Sequence, residues 1–143
     1  MRYLLDTCLI SKLVRKKPSS QVTEWVTAQE ERDLCLSVLT IGELVKGVHR
    51  LTDASRKRSL STWISRDVMQ RFGGRVLPVS VEMADCWGRL TAQRETAGAP
   101  LPVVDGLIAA TAMIHHLAVV TRNISHMAAA GVQVLNPCEP AAR

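Results

Sequence analysis

Aromatic side chains are scarce: three Trp, one Tyr and one Phe make up 3% of the 143 residues. Stacking platforms for single-stranded bases are correspondingly few, which argues against sequence reading by stacked bases. The interior must be filled by Leu, Val, Ile and Ala, and a hydrophobic fraction of 47% supplies them. Paired cysteines are missing too. Cys8, Cys35, Cys86 and Cys138 stand far apart with no C-x-x-C spacing, so a zinc site has little support and reduced thiols are expected. No apolar run approaches the ~20 residues of a membrane span. Arg2 and Asp6 interrupt the N-terminus before the apolar stretch of a signal peptide could form. The expected setting is cytoplasmic, with no membrane. With no repeats and no low-complexity linker, residues 1–143 read as one domain, long enough to bury a substantial core.

Charge is present but unevenly placed. Residues 50–75 carry Arg50, Arg56, Lys57, Arg58, Arg66, Arg71 and Arg75 against Asp53 and Asp67, an excess equal to the whole formal net charge of +5. Such a stretch suits a phosphate-rich partner, with Arg56, Lys57 and Arg58 as candidate contacts. On charge alone, a solvated helix face fits equally well.

Hydrophobic spacing alternates between short strands and helices. Residues 3–5 form an apolar strand ending on Asp6 and Thr7, either of which can cap a helix from Cys8 to about Val14. Lys16, Lys17 and Pro18 make a break, and Ser19 or Ser20 begins a helix with Val22, Trp25 and Val26 on one side. Residues 34–38 read as a second strand. From Thr40 the period becomes helical, with Ile41, Leu44, Val45 and Val48 as its stripe. The basic segment reads as another helix, with Leu60, Trp63, Ile64 and Val68 inward and Gly73 and Gly74 at its end. Residues 76–79 make a third strand. Ser80 leads into a helix running to about Gly98, and Pro102 suits the first turn of the next. Residues 117–120 and 132–135 supply a fourth and a fifth strand. This alternation predicts an α/β domain with an about five-stranded, mostly parallel sheet and helices on both faces.

Asp105 is the only charged residue in the run Pro102-Val-Val-Asp-Gly-Leu-Ile-Ala-Ala-Thr-Ala-Met-Ile114. A helix so apolar belongs in an interior, where a lone carboxylate needs a partner or a cation. Asp6 closes the first strand, Glu43 lies in the helix after the second, and Asn123 and His126 follow the fourth. In open α/β sheets, sites form beyond the carboxyl ends of strands where strand order reverses. If the first and fourth strands are neighbours, these residues meet in one cleft. Each acid alone also has a structural reading. Asp6 can cap a helix, Thr40 and Glu43 have the spacing of a capping box, and Asp105 suits a helix's first turn. Together, three converging carboxylates repel one another, and a hard divalent cation such as Mg²⁺ or Mn²⁺ relieves that repulsion. Such an ion can activate water and neutralise charge on a phosphodiester.

Four segments, Met1-Arg-Tyr-Leu-Leu-Asp-Thr-Cys-Leu-Ile-Ser11, Leu39-Thr-Ile-Gly-Glu-Leu-Val-Lys-Gly47, Asp105-Gly-Leu-Ile-Ala-Ala-Thr-Ala112 and Val120-Thr-Arg-Asn123, resemble those of VapC-type PIN-domain ribonucleases, the toxins of bacterial toxin–antitoxin pairs. Val134-Leu-Asn-Pro137 fits as well, so the resemblance runs nearly end to end. It implies a five-stranded parallel sheet, a homodimer and divalent-metal cleavage of RNA. Asp6, Glu43 and Asp105 would be the metal-binding carboxylates, Asn123 would bond a metal-bound water, and Thr7 and Thr121 would be supporting polar groups. Arg56, Lys57 and Arg58 would then meet RNA. The resemblance also implies a VapB-like antitoxin that blocks the cleft with a C-terminal segment and tethers the pair to promoter DNA. The chain departs from the family pattern at His126, where an acid often stands. A neutral ligand or proton carrier is one reading of His126; a surface residue on a short helix is the other, and is favoured.

Two further enzyme classes fit poorly. A haloacid-dehalogenase-like phosphatase needs a second acid where this chain has Cys8, and a phospho-acceptor receiver domain needs an acidic pair at an early strand end. The alternative that remains is non-catalytic: a nucleic-acid or partner-binding module whose acids merely cap helices.

Overall fold

The computed structural model describes residues 1–13 and 20–138. Five strands form one sheet: β1 (Tyr3–Leu5), β2 (Leu34–Ser37), β3 (Val76–Leu77), β4 (Ala118–Val120) and β5 (Val134–Leu135). Their order is β3-β2-β1-β4-β5, and every pairing is parallel. The chain steps outward from β1 through β2 to β3, then returns to lay β4 on the other side of β1. Right-handed crossovers that travel both ways along a sheet put their helices on opposite faces.

Two apolar layers result. Successive side chains of a strand point to opposite faces, so Leu5, Leu36 and Val120 join one cluster while Leu4, Cys35 and Val119 join the other. The first is covered by α1 (Thr7–Leu13), α2 (Ser20–Ala28), α3 (Val38–His49) and the basic segment. The second is covered by α6 (Val81–Thr96), α7 (Val103–His115) and α8 (Ile124–Ala129). Burial pushes the Cys35 thiol up to about 11, against smaller opposing effects of the N-terminal ammonium and Arg75. It therefore remains a donor to the Tyr3 carbonyl oxygen at 3.2 Å.

Several boundaries differ from those the spacing predicts. The helix read from Thr40 begins at Val38, because the Ser37 hydroxyl at the end of β2 accepts from the Leu39 N–H at 3.0 Å and caps it. Thr40 is thus a buried residue inside α3, and Glu43 lies beyond the reach of a capping box. Within the predicted stripe, Val45 is exposed. The basic segment is not one regular helix. It runs as α4 (Ala54–Thr62), a π turn over Trp63–Val68 and α5 (Met69–Phe72). Leu60, Ile64, Val68 and Phe72 recur every fourth residue, a spacing that drifts around an α-helix. The wider π turn brings them back to one face, where Ile64, Val68 and Phe72 are buried. Pro102 is the residue before α7 rather than within it. Strands β3 and β5 are only two residues each, shorter than read. The break at Lys16, Lys17 and Pro18, and Ser19 as a helix start, lie outside the described residues.

Gly106 sets how closely α6 and α7 approach. A Cβ there would stand 3.2 Å from Nε1 and 3.3 Å from Cδ1 of the Trp87 ring. Alanine gains ~1 kcal/mol over glycine in a helix, but overpacking costs about 1–3 kcal/mol. The neighbour is a rigid, partly buried indole, which cannot bend aside as a flexible chain end could. Gly106→Ala is expected to lower stability in urea denaturation by about 1 kcal/mol. The same change in a Trp87→Phe background should be neutral or stabilising; an equal loss in both backgrounds would place the strain elsewhere.

Candidate active site

Leu5 pairs with Val120 across β1 and β4, so the next residues, Asp6 and Thr121, leave the sheet side by side. The Asp6 N–H donates to the Val120 carbonyl at 3.0 Å. Thr121 is fully buried. Its hydroxyl donates to Asp6 Oδ2 at 2.7 Å and accepts from the Asn123 N–H at 3.0 Å. Asp6 Oδ1 accepts from the Thr7 N–H at 2.8 Å, so the carboxylate serves the start of α1 and the neighbouring strand end together.

Glu43 reaches the same place from α3, where the Thr7 hydroxyl donates to its Oε1 at 2.7 Å. Asp105 arrives from the first turn of α7 on the opposite face of the sheet. That turn is not interior. Val103 is 63% exposed and the Asp105 side chain 24%, and burial of α7 begins at Gly106. The apolar run predicts a sequestered carboxylate, whereas the helix emerges at its N-terminal end and leaves Asp105 on a rim. His126, on α8, is both exposed and engaged. Its side chain is 45% exposed, and its Nδ1 stands 2.9 Å from Asp105 Oδ2 and 2.9 Å from Asn123 Nδ2.

Asp6, Thr7, Glu43, Asp105 and Asn123 line one open cleft of ≈ 580 Å³, together with Cys8 and Arg122. As arranged, no three acidic, histidine or cysteine side chains among the described residues stand close enough to form a ready ligand group. The carboxylates share a wall, and each is turned to a protein neighbour. Two cleft residues escaped the sequence reading. Arg122, inside the Thr-Arg-Asn segment, brings a cation to the acids. The Cys8 thiol lies 3.7 Å from Asp6 Oδ2 and 3.6 Å from Thr121 Oγ1. Burial pushes that thiol up from its ordinary range, with Asp6 adding to the effect against an opposing backbone hydrogen bond at Arg122.

The basic segment divides in two. Arg71 and Arg75 both bind Glu31, at 2.7 and 3.2 Å, and hydrogen bonding to Arg71 holds the Glu31 carboxyl below its usual range. Arg56 and Arg66 instead line an open groove that also contains Asp53 and Asp67. Arg56 further lines an apolar groove of ≈ 240 Å³ between α3 and α4, whose walls include Glu43, Leu44, Val48, Leu60 and Trp63.

The PIN-domain family model matches this chain over residues 3–131. The chain belongs to the PIN-domain family, and within it stands among the VapC-type toxins. It is similar to the VapC ribonuclease Y4jK of Sinorhizobium fredii, at 36% identity over 138 residues, 96% of this chain and 99% of that one. It is also similar to toxin FitB of Neisseria gonorrhoeae, at 35% identity over 134 residues, 94% and 96% of the two chains. A solved structure of FitAB bound to an IR36 DNA fragment matches with a TM-score of 0.91 at 32% identity, covering 98% of each chain.

Thr121 joins Asp6 to Asn123 from a buried position. Thr121→Val keeps the shape, but removes a donor to a carboxylate and leaves the Asn123 N–H without its acceptor. A loss of about 1–3 kcal/mol in chemical denaturation is expected. An unchanged midpoint would mean that water replaces the hydroxyl without cost.

Proposed function

We propose that this chain is a divalent-metal-dependent endoribonuclease, the toxin of a toxin–antitoxin pair, which hydrolyses RNA phosphodiester bonds. The observation that carries this reading is the convergence of Asp6, Glu43 and Asp105, from three separate elements, on one solvent-open cleft. Their donor atoms are all carboxylate oxygens, which suit Mg²⁺ or Mn²⁺. These three residues would hold the ion. When bound, it would supply an activated water and neutralise charge developing on the phosphate.

The chain's own groups prepare that chemistry. Thr7 and Thr121 hold Glu43 and Asp6 with hydroxyl donors, which limits their rotation and offsets repulsion among the acids. Asn123 presents an amide at the cleft wall, where it can orient water. Arg122 offers a cation for the scissile phosphate or its neighbour. Arg56, Lys57 and Arg58 would hold phosphates further along the RNA, an attraction that salt weakens.

The partner is a VapB-like antitoxin. The apolar groove between α3 and α4 adjoins Glu43, so a segment seated there runs directly to the cleft and can obstruct it. The structure of the relative FitAB bound to an IR36 DNA fragment supports contact of such a pair with DNA; here the antitoxin would carry that contact, at promoter DNA. The chain acts as a homodimer in the cytoplasm. No helix among the described residues is long and apolar enough to cross a membrane.

Asp6→Asn and Asp105→Asn should each reduce Mg²⁺- or Mn²⁺-dependent cleavage of structured RNA by at least about a hundredfold, a scale set by loss of a metal ligand or its support. Asp105→Asn should melt close to the parent, whereas Asp6→Asn, which keeps an acceptor for only one of the Thr7 N–H and the Thr121 hydroxyl, should melt lower but stay folded at the assay temperature by circular dichroism. Cleavage that survives both changes would sink the metal reading. RNA binding with no cleavage, equal with and without Mg²⁺, would favour the non-catalytic binding module. Replacing Arg56, Lys57 and Arg58 by Ala should weaken RNA binding and flatten its dependence on salt, with metal affinity unchanged. An unaltered salt slope would show that these residues face something other than the substrate.

A further inference from the structure

Nδ1 of His126 stands 2.9 Å from two groups with opposite demands, the Asp105 carboxylate oxygen and the Asn123 amide nitrogen. A neutral imidazole nitrogen carries either a proton or a lone pair. With the proton on Nδ1, Asp105 is satisfied, but the Asn123 N–H meets another donor. With the lone pair on Nδ1, Asn123 is satisfied, but two acceptors face each other at 2.9 Å. Turning the Asn123 amide over resolves the first conflict only by sharing one N–H between two acceptors. A cation bound beside the pair, off the line that joins the two atoms, resolves the second, because both lone pairs can then turn toward positive charge. Donors that share an octahedral ion at ~2.1 Å stand about 3 Å apart, so this pair, now hydrogen-bonded at 2.9 Å, could exchange its proton for an ion without moving apart. The ring is 45% exposed, so an ion can reach it from solvent.

We propose that His126 Nδ1 is a nitrogen ligand to the cation held by Asp105, and that it biases this site toward transition ions over Mg²⁺. The proposal rests on the metal-dependent reading above and deepens it. Carboxylates alone form a hard oxygen site suited to Mg²⁺ and Mn²⁺ alike. An imidazole adds a donor that favours later first-row ions, while Mg²⁺ gains least from it. His126 stands just outside the cleft lining and touches it through Asp105 and Asn123, and from there it is a determinant of which ion Asp105 holds.

Mn²⁺ is the probe, added to the purified full chain, with binding followed by electron paramagnetic resonance. Pulsed measurements report whether nitrogen is bonded to the bound ion. The parent protein is expected to show a directly coordinated ¹⁴N that disappears in His126→Ala and in His126→Asp. His126→Asp restores an oxygen donor, so it should retain Mn²⁺ but release it to Mg²⁺ at roughly tenfold lower Mg²⁺ concentration. Circular dichroism melting of the variants, altered at an exposed position, should match the parent. If Mn²⁺ binds and Asp6→Asn removes it, yet no nitrogen coupling is seen or the coupling survives His126→Ala, His126 is only a hydrogen-bond partner of Asp105. In that case the proposal falls while the metal reading stands. If no Mn²⁺ binds, or if Asp6→Asn leaves binding intact, both fall.

Discussion

The parallel pairing of β1 with β4 is the constraint on which the rest of the molecule depends. Leu5 lies opposite Val120, and the two residues that follow, Asp6 and Thr121, are joined by a 2.7 Å hydrogen bond. Sliding one strand by a single residue would turn its side chains to the other face of the sheet. The register is strongly specified because Leu4 and Leu5, and Val119 and Val120, are all fully buried in layers on opposite sides. Hydrophobic packing on both faces therefore fixes the placement of a polar residue at the strand's end. The same pairing marks the reversal in strand order, so α3 comes to the cleft from one face and α7 from the other. Glu43 and Asp105 could not approach Asp6 from two sides without it.

Around this junction the acids are managed chiefly by hydroxyls. Glu43, Thr7, Asp6, Thr121 and Asn123 form a connected run of hydrogen bonds that ties α3, β1 and the segment after β4 together. Charge-assisted bonds to carboxylates are stronger than neutral ones, and threonine has few rotamers to lose. The threonine links are thus rigid and uncharged, and leave the negative charge of the two carboxylates in place for a cation or a guanidinium to meet. The basic segment contributes less free charge than its composition suggests, since Arg71 and Arg75 are bound to Glu31 beside the Phe72 ring.

Much of this was legible in the residues, for identifiable reasons. Short apolar runs at positions 3–5, 34–38 and 117–120 required strands buried on both faces, and acids placed just after or between such runs pointed to one end of the sheet. What was not legible depends on contacts distant in sequence. Thr40 and Glu43 have the spacing of a helix cap, and only the junction with β2 reveals that Ser37 fills that role three residues earlier. The apolar composition around Asp105 suggested an interior, but composition does not tell which end of a buried helix protrudes. The pairing of His126 with Asp105 joins positions 21 residues apart, on helices separated by a strand. Likewise, Glu31 gives no local sign that it will neutralise two arginines 40 and 44 residues away.

The outer strands of the sheet are two residues long, Val76–Leu77 on one side and Val134–Leu135 on the other. A strand so brief offers a neighbouring molecule almost no unpaired backbone to copy, which is one way natural sheets avoid fibrous stacking. Copies of this chain are thereby steered away from ribbon-like growth through the backbone. Recognition between molecules falls to side chains on the helical surfaces, where shape and charge can discriminate one partner from another.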